Sequence, residues 1–204
     1  MKIDYSLYLC TDRNFTADIE KAVELAIKGG VTVVQLREKN CSGREFFEIG
    51  MRLKKITASK NIPLIVNDRL DIAQAIDAAG VHIGQSDLPC NAARKILGAE
   101  KIIGVSVSTV EEAVQAELDG ANYLGVGAMF ATNTKTDAEL VTLDTLKKIR
   151  AAVKIPIVAI GGINLETISK IKPAKIDGVA VVSAILAAEN PEIAARNLLN
   201  LWRN

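Results

Sequence analysis

The sequence predicts a closed (β/α)8 barrel, a single domain spanning residues 1–204, on three observations. Eight short runs rich in Val, Ile, Leu, Gly and Ala recur along the chain, apolar at odd and even positions alike, as strands buried on both faces should be. Between them lie stretches whose apolar residues recur with helical spacing, so strand and helix alternate and the strands run parallel. No Pro/Gly/Ser-rich linker divides the series. The other architecture open to alternating elements is a doubly wound sheet, which as a dinucleotide fold calls for GxGxxG after an early strand. The first two strands end in CTDRNF and QLREKN instead.

In chain order the strands are residues 7–10, 32–36, 63–66, 80–84, 102–105, 123–126, 157–160 and 179–182. Ile19, Val23 and Ile27 mark a helical face after the first strand, and Ile49, Leu53 and Ile56 one after the second, with charges on the opposite side. The junctions KGG-VTVVQL, AAG-VHIG, LDG-ANYLGV and KID-GVAVV repeat a pattern, each with a glycine expected near a helix C-terminus just before the strand. One helix plus one strand is the repeating unit.

Composition excludes several function classes. Among 204 residues, 25 Lys and Arg balance 24 Asp and Glu for a net charge of +1, which leaves no general field for nucleic acid or an anionic membrane surface. No uncharged apolar run approaches the ~18 residues of a membrane span, and MKIDYSLYLC lacks a signal-peptide core, so a cytoplasmic location is expected. Cys10, Cys41 and Cys90 are odd in number and widely spaced, a pattern of reduced thiols and not of a disulfide framework or zinc site. These cysteines, His82 and Trp202 read as packing or surface residues.

In such barrels chemistry sits where the strands end, at the C-terminal mouth. The strand ends supply Thr11 and Asp12; Arg37, Glu38 and Lys39; Asn67, Asp68 and Arg69; Gln85, Ser86 and Asp87; Ser106; the long loop 127–141; Gly161 and Gly162; and Ser183. Asp68 and Asp87 end consecutive strands about 4.8 Å apart and can share a divalent ion; Mg²⁺ takes one or two carboxylates plus phosphate oxygens. The alternative pairs Asp68 with Arg69 and makes Asp87 a helix cap. Arg37 and Lys39, two apart on an extended segment, face one side and can grip one anion, with Lys135 a third cation. Gly161 and Gly162 admit a phosphate to the backbone, and Ser183 opens a short helical segment, together a second anion site. The 127–141 loop, with Thr132, Thr134, Lys135 and Thr136, reads as a lid or as an ordinary surface loop. No Ser-His-Asp set, GxSxG elbow or Walker lysine is present. The residues thus reach a Mg²⁺-dependent barrel enzyme that takes a pyrophosphate ester and a phosphorylated second substrate.

The ordered motifs VQLREK (34–39), VNDR (66–69), GVHIGQSDLP (80–89), IIGVS (102–106), FATNTK (130–135), AIGGI (159–163) and GVAVVSAI (178–185) together resemble the thiamine phosphate synthase family. The resemblance covers all eight units. It implies a (β/α)8 transferase that joins 4-amino-2-methyl-5-hydroxymethylpyrimidine diphosphate to 4-methyl-5-hydroxyethylthiazole phosphate, releasing pyrophosphate and making thiamine phosphate. It further implies that Gln35, Leu36, Arg37, Glu38, Lys39, Asn67, Ser106 and Lys135 bind the pyrimidine diphosphate. Arg37, Lys39 and Lys135 would act catalytically on its departing phosphates. Asp68 and Asp87 would hold Mg²⁺, and Thr132, Asn133, Thr134, Gly162, Val182 and Ser183 the thiazole phosphate. Ionisation of the C–O bond first, then attack by the thiazole nitrogen, would need no protein nucleophile. Two departures stand out: many relatives have His where this chain has Ser108, and Pro around the loop where it has Ala128 and Ala131. Two rival readings are the related thiazole tautomerase and a non-catalytic thiamine phosphate-binding regulator; neither needs the full cation and carboxylate set.

Overall fold

A computed structural model describes residues 3–131 and 140–204. Its eight strands are β1 (Leu7–Cys10), β2 (Val33–Leu36), β3 (Leu64–Asn67), β4 (Gly80–Ile83), β5 (Ile102–Val107), β6 (Tyr123–Val126), β7 (Ile157–Ile160) and β8 (Gly178–Val181). They close in sequence order, with β8 parallel to β1, so the barrel is as expected and each strand lies within a residue or two of its predicted span. The helices are α1 (Ile19–Lys28), α2 (Gly43–Ala58), α3 (Leu70–Ala75), α4 (Cys90–Leu97), α5 (Val110–Leu118), α6 (Leu143–Ala152), α7 (Ser183–Leu186) and α8 (Pro191–Arg203).

Alternation along each strand divides the interior in two. One parity of each strand, with Leu9, Val34, Val66, Val81, Ile103 and Leu124, faces outward and packs with helix residues such as Val23, Leu53 and Leu146 into a continuous shell. The other parity, with Tyr8, Cys10, Val33, Ile65, Tyr123, Val158 and Ala180, fills the barrel lumen. Two layers buried on both sides of one sheet account for strands that are apolar at every position.

Two expectations need correction. β7 and β8 are joined by two 3-10 turns, Ile168–Lys170 and Lys172–Ala174, not by an α-helix; Pro173 near the middle of this link removes a backbone donor and opposes a continuous helix. Nor are all the junction glycines helix caps. Gly80 and Gly178 are the first residues of their strands, where an added Cβ would run into the carbonyls of Ile102 and Tyr5. Close approach of neighbouring strands demands these glycines, while the left-handed turns before them fall on Asp77 and Lys175.

Candidate active site

The mouth is assembled by the register of neighbouring strands. Thr11, just past β1, donates its backbone N–H to Gln35 O at 2.9 Å, and its Oγ1 accepts the Arg37 N–H at 2.9 Å. This pins the start of the Arg37–Lys39 segment to β1. Asp12 caps the 3-10 turn Arg13–Phe15 by accepting the Asn14 N–H, and its second oxygen lies 3.6 Å from the Arg37 guanidinium. Lys39 leans the other way, to Asp68 Oδ2 at 3.0 Å. The two cations are thus held by carboxylates on the flanking strands, and Lys39, half-exposed, is tied only weakly. Glu38 points away from both: it is buried against Arg13 at 2.9 Å, which also reaches Glu45. Burial pushes the Glu38 carboxyl up, against the pull of Arg13. Of the expected diphosphate-binding segment, Leu36 lies in the outer shell and Gln35 in the lumen.

Asp68 and Asp87 come together as the strand order requires. Asp68 sits at φ 62°, a left-handed conformation that Asp tolerates better than most residues, with its N–H on His82 O at 2.8 Å. Asp87 accepts the Gly84 N–H at 2.7 Å, and Asp68 is within hydrogen-bonding reach of it. Burial pushes the Asp87 carboxyl up; the Gly84 N–H opposes this, the neighbouring Asp68 adds to it and Lys39 works against it. Both alternatives for this pair fail in the structure. Arg69 turns to Asp71 and not to Asp68, and α4 is capped by Pro89 with no side-chain bond from Asp87. No group of three or more His, Cys, Asp or Glu that could hold a metal occurs among the described residues. A divalent ion held by Asp68 and Asp87, with water or phosphate completing its shell, would suit Mg²⁺.

On the opposite side of the mouth, Gly161 (φ 99°) and Gly162 (φ 63°) follow β7. They receive the base of the long loop: Met129 and Phe130 donate to Ile160 O and Gly161 O at 2.9 and 3.0 Å. A Cβ at Gly162 would lie 2.6 Å from Ala131 O. The glycine pair therefore seats residues 128–131 as well as leaving backbone open, and Thr167 holds Gly162 O at 2.9 Å. Val182 and the exposed Ser183 follow β8, the partner strand of β7, so Gly162 and Ser183 end adjacent strands. Thr132, Asn133, Thr134 and Lys135, expected in both substrate sites, lie outside the described residues.

The lumen beneath the mouth is polar where the sequence suggested only packing. Gln35 Nε2 donates to Tyr8 Oη at 2.9 Å, Tyr8 and Tyr123 hydroxyls are 2.7 Å apart, Tyr123 Oη meets His82 Nδ1 at 2.8 Å and His82 Nε2 meets Ser106 Oγ at 2.8 Å. Both nitrogens of His82 are satisfied, as expected of a core histidine, and burial pushes its pKa down to about 4, so the ring is neutral. Its link to Ser106 was not foreseen. The signal was its parity: His82 faces inward beside Gly125, where a Cβ would lie 2.9 Å from the ring. Cys10, also in the lumen, is pushed by burial to about 12, with Arg37 pulling the other way; it is no nucleophile. Ser108, the departure at the His position, donates with its backbone and side chain to Glu112 and so helps start α5.

A family model described as thiamine monophosphate synthase matches residues 7–185, from β1 to α7. The chain belongs to that family. Two thiamine-phosphate synthases resemble it at full length: that of Clostridium beijerinckii is 55% identical over 201 residues, covering 98% of this chain and 96% of that protein. That of Clostridium tetani is 56% identical over 202 residues, covering 98% and 97%. Among solved structures, a thiamine phosphate pyrophosphorylase from Pyrococcus furiosus superposes with a TM-score of 0.92 at 40% identity, covering 98% of this chain and 96% of that one. Within the thiamine monophosphate synthase family the mouth just described is therefore the place to look for the chemistry.

Proposed function

We propose that this member of the thiamine monophosphate synthase family is a transferase that moves the pyrimidinylmethyl group of 4-amino-2-methyl-5-hydroxymethylpyrimidine diphosphate onto the nitrogen of 4-methyl-5-hydroxyethylthiazole phosphate. The products are thiamine phosphate and pyrophosphate. The observation that carries the reading is the pairing of Asp68 and Asp87 on consecutive strands, with Lys39 on Asp68 and Arg37 on the neighbouring strand end. Two neighbouring carboxylates beside two cations suit a doubly charged metal and a diphosphate.

Asp68 and Asp87 would hold Mg²⁺, which when bound supplies charge to neutralise the leaving pyrophosphate. Lys39 exchanges Asp68 for phosphate oxygens, and Asp12, 3.6 Å from the Arg37 guanidinium, keeps Arg37 aimed into the mouth, where its remaining N–H groups meet phosphate. Lys135 is assigned to the departing diphosphate. Asn67, the last residue of β3, with Gln35 and Ser106, orients the pyrimidine; Gly162, Val182 and Ser183, with Thr132 to Thr134, take the thiazole phosphate. The C–O bond to the diphosphate breaks first, leaving a pyrimidine methyl cation stabilised by the ring amino group. The thiazole nitrogen then supplies the electron pair of the new C–N bond. No protein nucleophile or base is required, in keeping with a buried, neutral histidine and a protonated Cys10. The work of the protein is positioning and charge stabilisation. The three cysteines, all free thiols, support placing this reaction in the cytoplasm, and no helix among the described residues is long and apolar enough to cross a membrane.

The test is to mix both substrates with Mg²⁺ and follow thiamine phosphate and pyrophosphate. Equal amounts of the two are expected. Binding of both substrates without product would reject the reading.

A further inference from the structure

Each member of the chain Gln35–Tyr8–Tyr123–His82–Ser106 comes from a different strand, and together they cross the lumen from β2 to β5. Its direction follows from counting hydrogens. Gln35 Nε2 donates to Tyr8 Oη, so the single Tyr8 hydrogen must go elsewhere. Tyr8 is 1% exposed, and the acceptor beside it is Tyr123 Oη. A buried hydroxyl left without an acceptor costs about 1–3 kcal/mol, so Tyr8 donates to Tyr123. Tyr123, also 1% exposed, then donates its own hydrogen to His82 Nδ1. A neutral imidazole with a bare Nδ1 carries its proton on Nε2, and that N–H donates to Ser106 Oγ. The Ser106 hydrogen is left to point into the mouth.

We propose that Tyr8, Tyr123 and His82 are positioning residues that make Ser106 Oγ accept from His82, so that its hydrogen is free to donate to an acceptor on the pyrimidine diphosphate. This rests on the proposed reaction for the identity of the ligand, but not for the polarity of the chain, which belongs to the protein alone. Tyr8 and Tyr123 touch no substrate in this account; they act through His82. Turning the Gln35 amide over would reverse the chain, put the proton on Nδ1 and make Ser106 donate downward to His82, so the two polarities predict opposite tautomers.

His82 is the sole histidine, so an ¹H–¹⁵N correlation spectrum of the ¹⁵N-labelled ligand-free protein reads its tautomer without assignment. A protonated Nε2 and a bare Nδ1 are expected; a protonated Nδ1 overturns the proposal whatever the activity. The second arm is Tyr123→Phe, checked for fold by circular dichroism. It removes the donor to Nδ1, so the tautomer should become mixed. The Kd for the pyrimidine diphosphate, measured by calorimetry, should rise about tenfold while that for the thiazole phosphate stays unchanged. Tyr8→Phe leaves the Tyr123–His82 bond in place and should preserve the tautomer with a smaller rise. Equal effects of Tyr123→Phe on both ligands, or none on either, would overturn the assignment. If the native tautomer is as expected but the wild-type protein forms no thiamine phosphate from its two substrates, the proposed reaction fails and the polarity stands.

Discussion

Acid should reveal the cost of keeping His82 neutral. The ring binds its proton at about pH 4 in the folded protein against 6.5 when free, because burial disfavours the imidazolium more strongly than the nearby Asp87 favours it. Above pH 6.5 both states are neutral and the full stability is present. Between about pH 6.5 and about pH 4 the unfolded chain takes up the proton while the folded one does not, so stability falls with pH. Below that both are protonated and the loss is complete. At ~1.4 kcal/mol per pH unit the loss is about 3 kcal/mol. The raised carboxyls of Glu38 and Asp87 act in the opposite direction, since the folded state takes up those protons first and gains stability as pH falls toward their ordinary values. The clean comparison is therefore wild type against His82→Gln. Urea unfolding of both, followed by circular dichroism at a series of pH values, should show a constant offset from the lost bonds to Tyr123 and Ser106. Relative to that offset, the wild type alone should lose about 3 kcal/mol as the pH falls from about 6.5 to about 4. Parallel pH curves for the two proteins would refute the reasoning.

Gly104 pairs with Tyr123 across β5 and β6, and a Cβ there would run into the phenol ring; Gly104→Ala should cost about 2 kcal/mol and lower the melting temperature by roughly 5 °C, and an unchanged melt would show that the lumen has slack. Asp68→Asn and Asp87→Asn should each leave a folded barrel and reduce turnover by ~100-fold or more, measured as thiamine phosphate formed at saturating substrates. A near-normal rate would remove that residue from the site.

The barrel was legible because its strands are buried on both sides, which makes Leu7–Cys10, Tyr123–Val126 and Ile157–Ile160 apolar throughout and sets them apart from the charged helix faces between. The Asp68 and Asp87 pairing was legible from strand order alone, because consecutive strands in a closed parallel barrel are neighbours. What depends on register was not. That Asp12 would hold Arg37, and that Arg13 would draw Glu38 away from the mouth, follows from how β1 slides against β2. Nor did Tyr8, Tyr123 and His82 announce a connected chain, since each alone reads as packing; only closure of the barrel brings β1, β4 and β6 around one lumen. The glycines at 80 and 178 were misread for a related reason: a glycine needed for a close strand contact and one needed for a left-handed turn look alike until the neighbouring carbonyl is in place.

The central claim is that the two carboxylates and the cations beside them form one metal-diphosphate site, and calorimetric titration of the protein with pyrophosphate, with and without Mg²⁺, tests it most directly. Pyrophosphate should bind tightly only with Mg²⁺ present, and Asp68→Asn or Asp87→Asn should abolish the metal dependence while leaving weak binding through Arg37 and Lys39. Equal affinity with and without Mg²⁺, or a metal dependence untouched in both variants, would contradict the account.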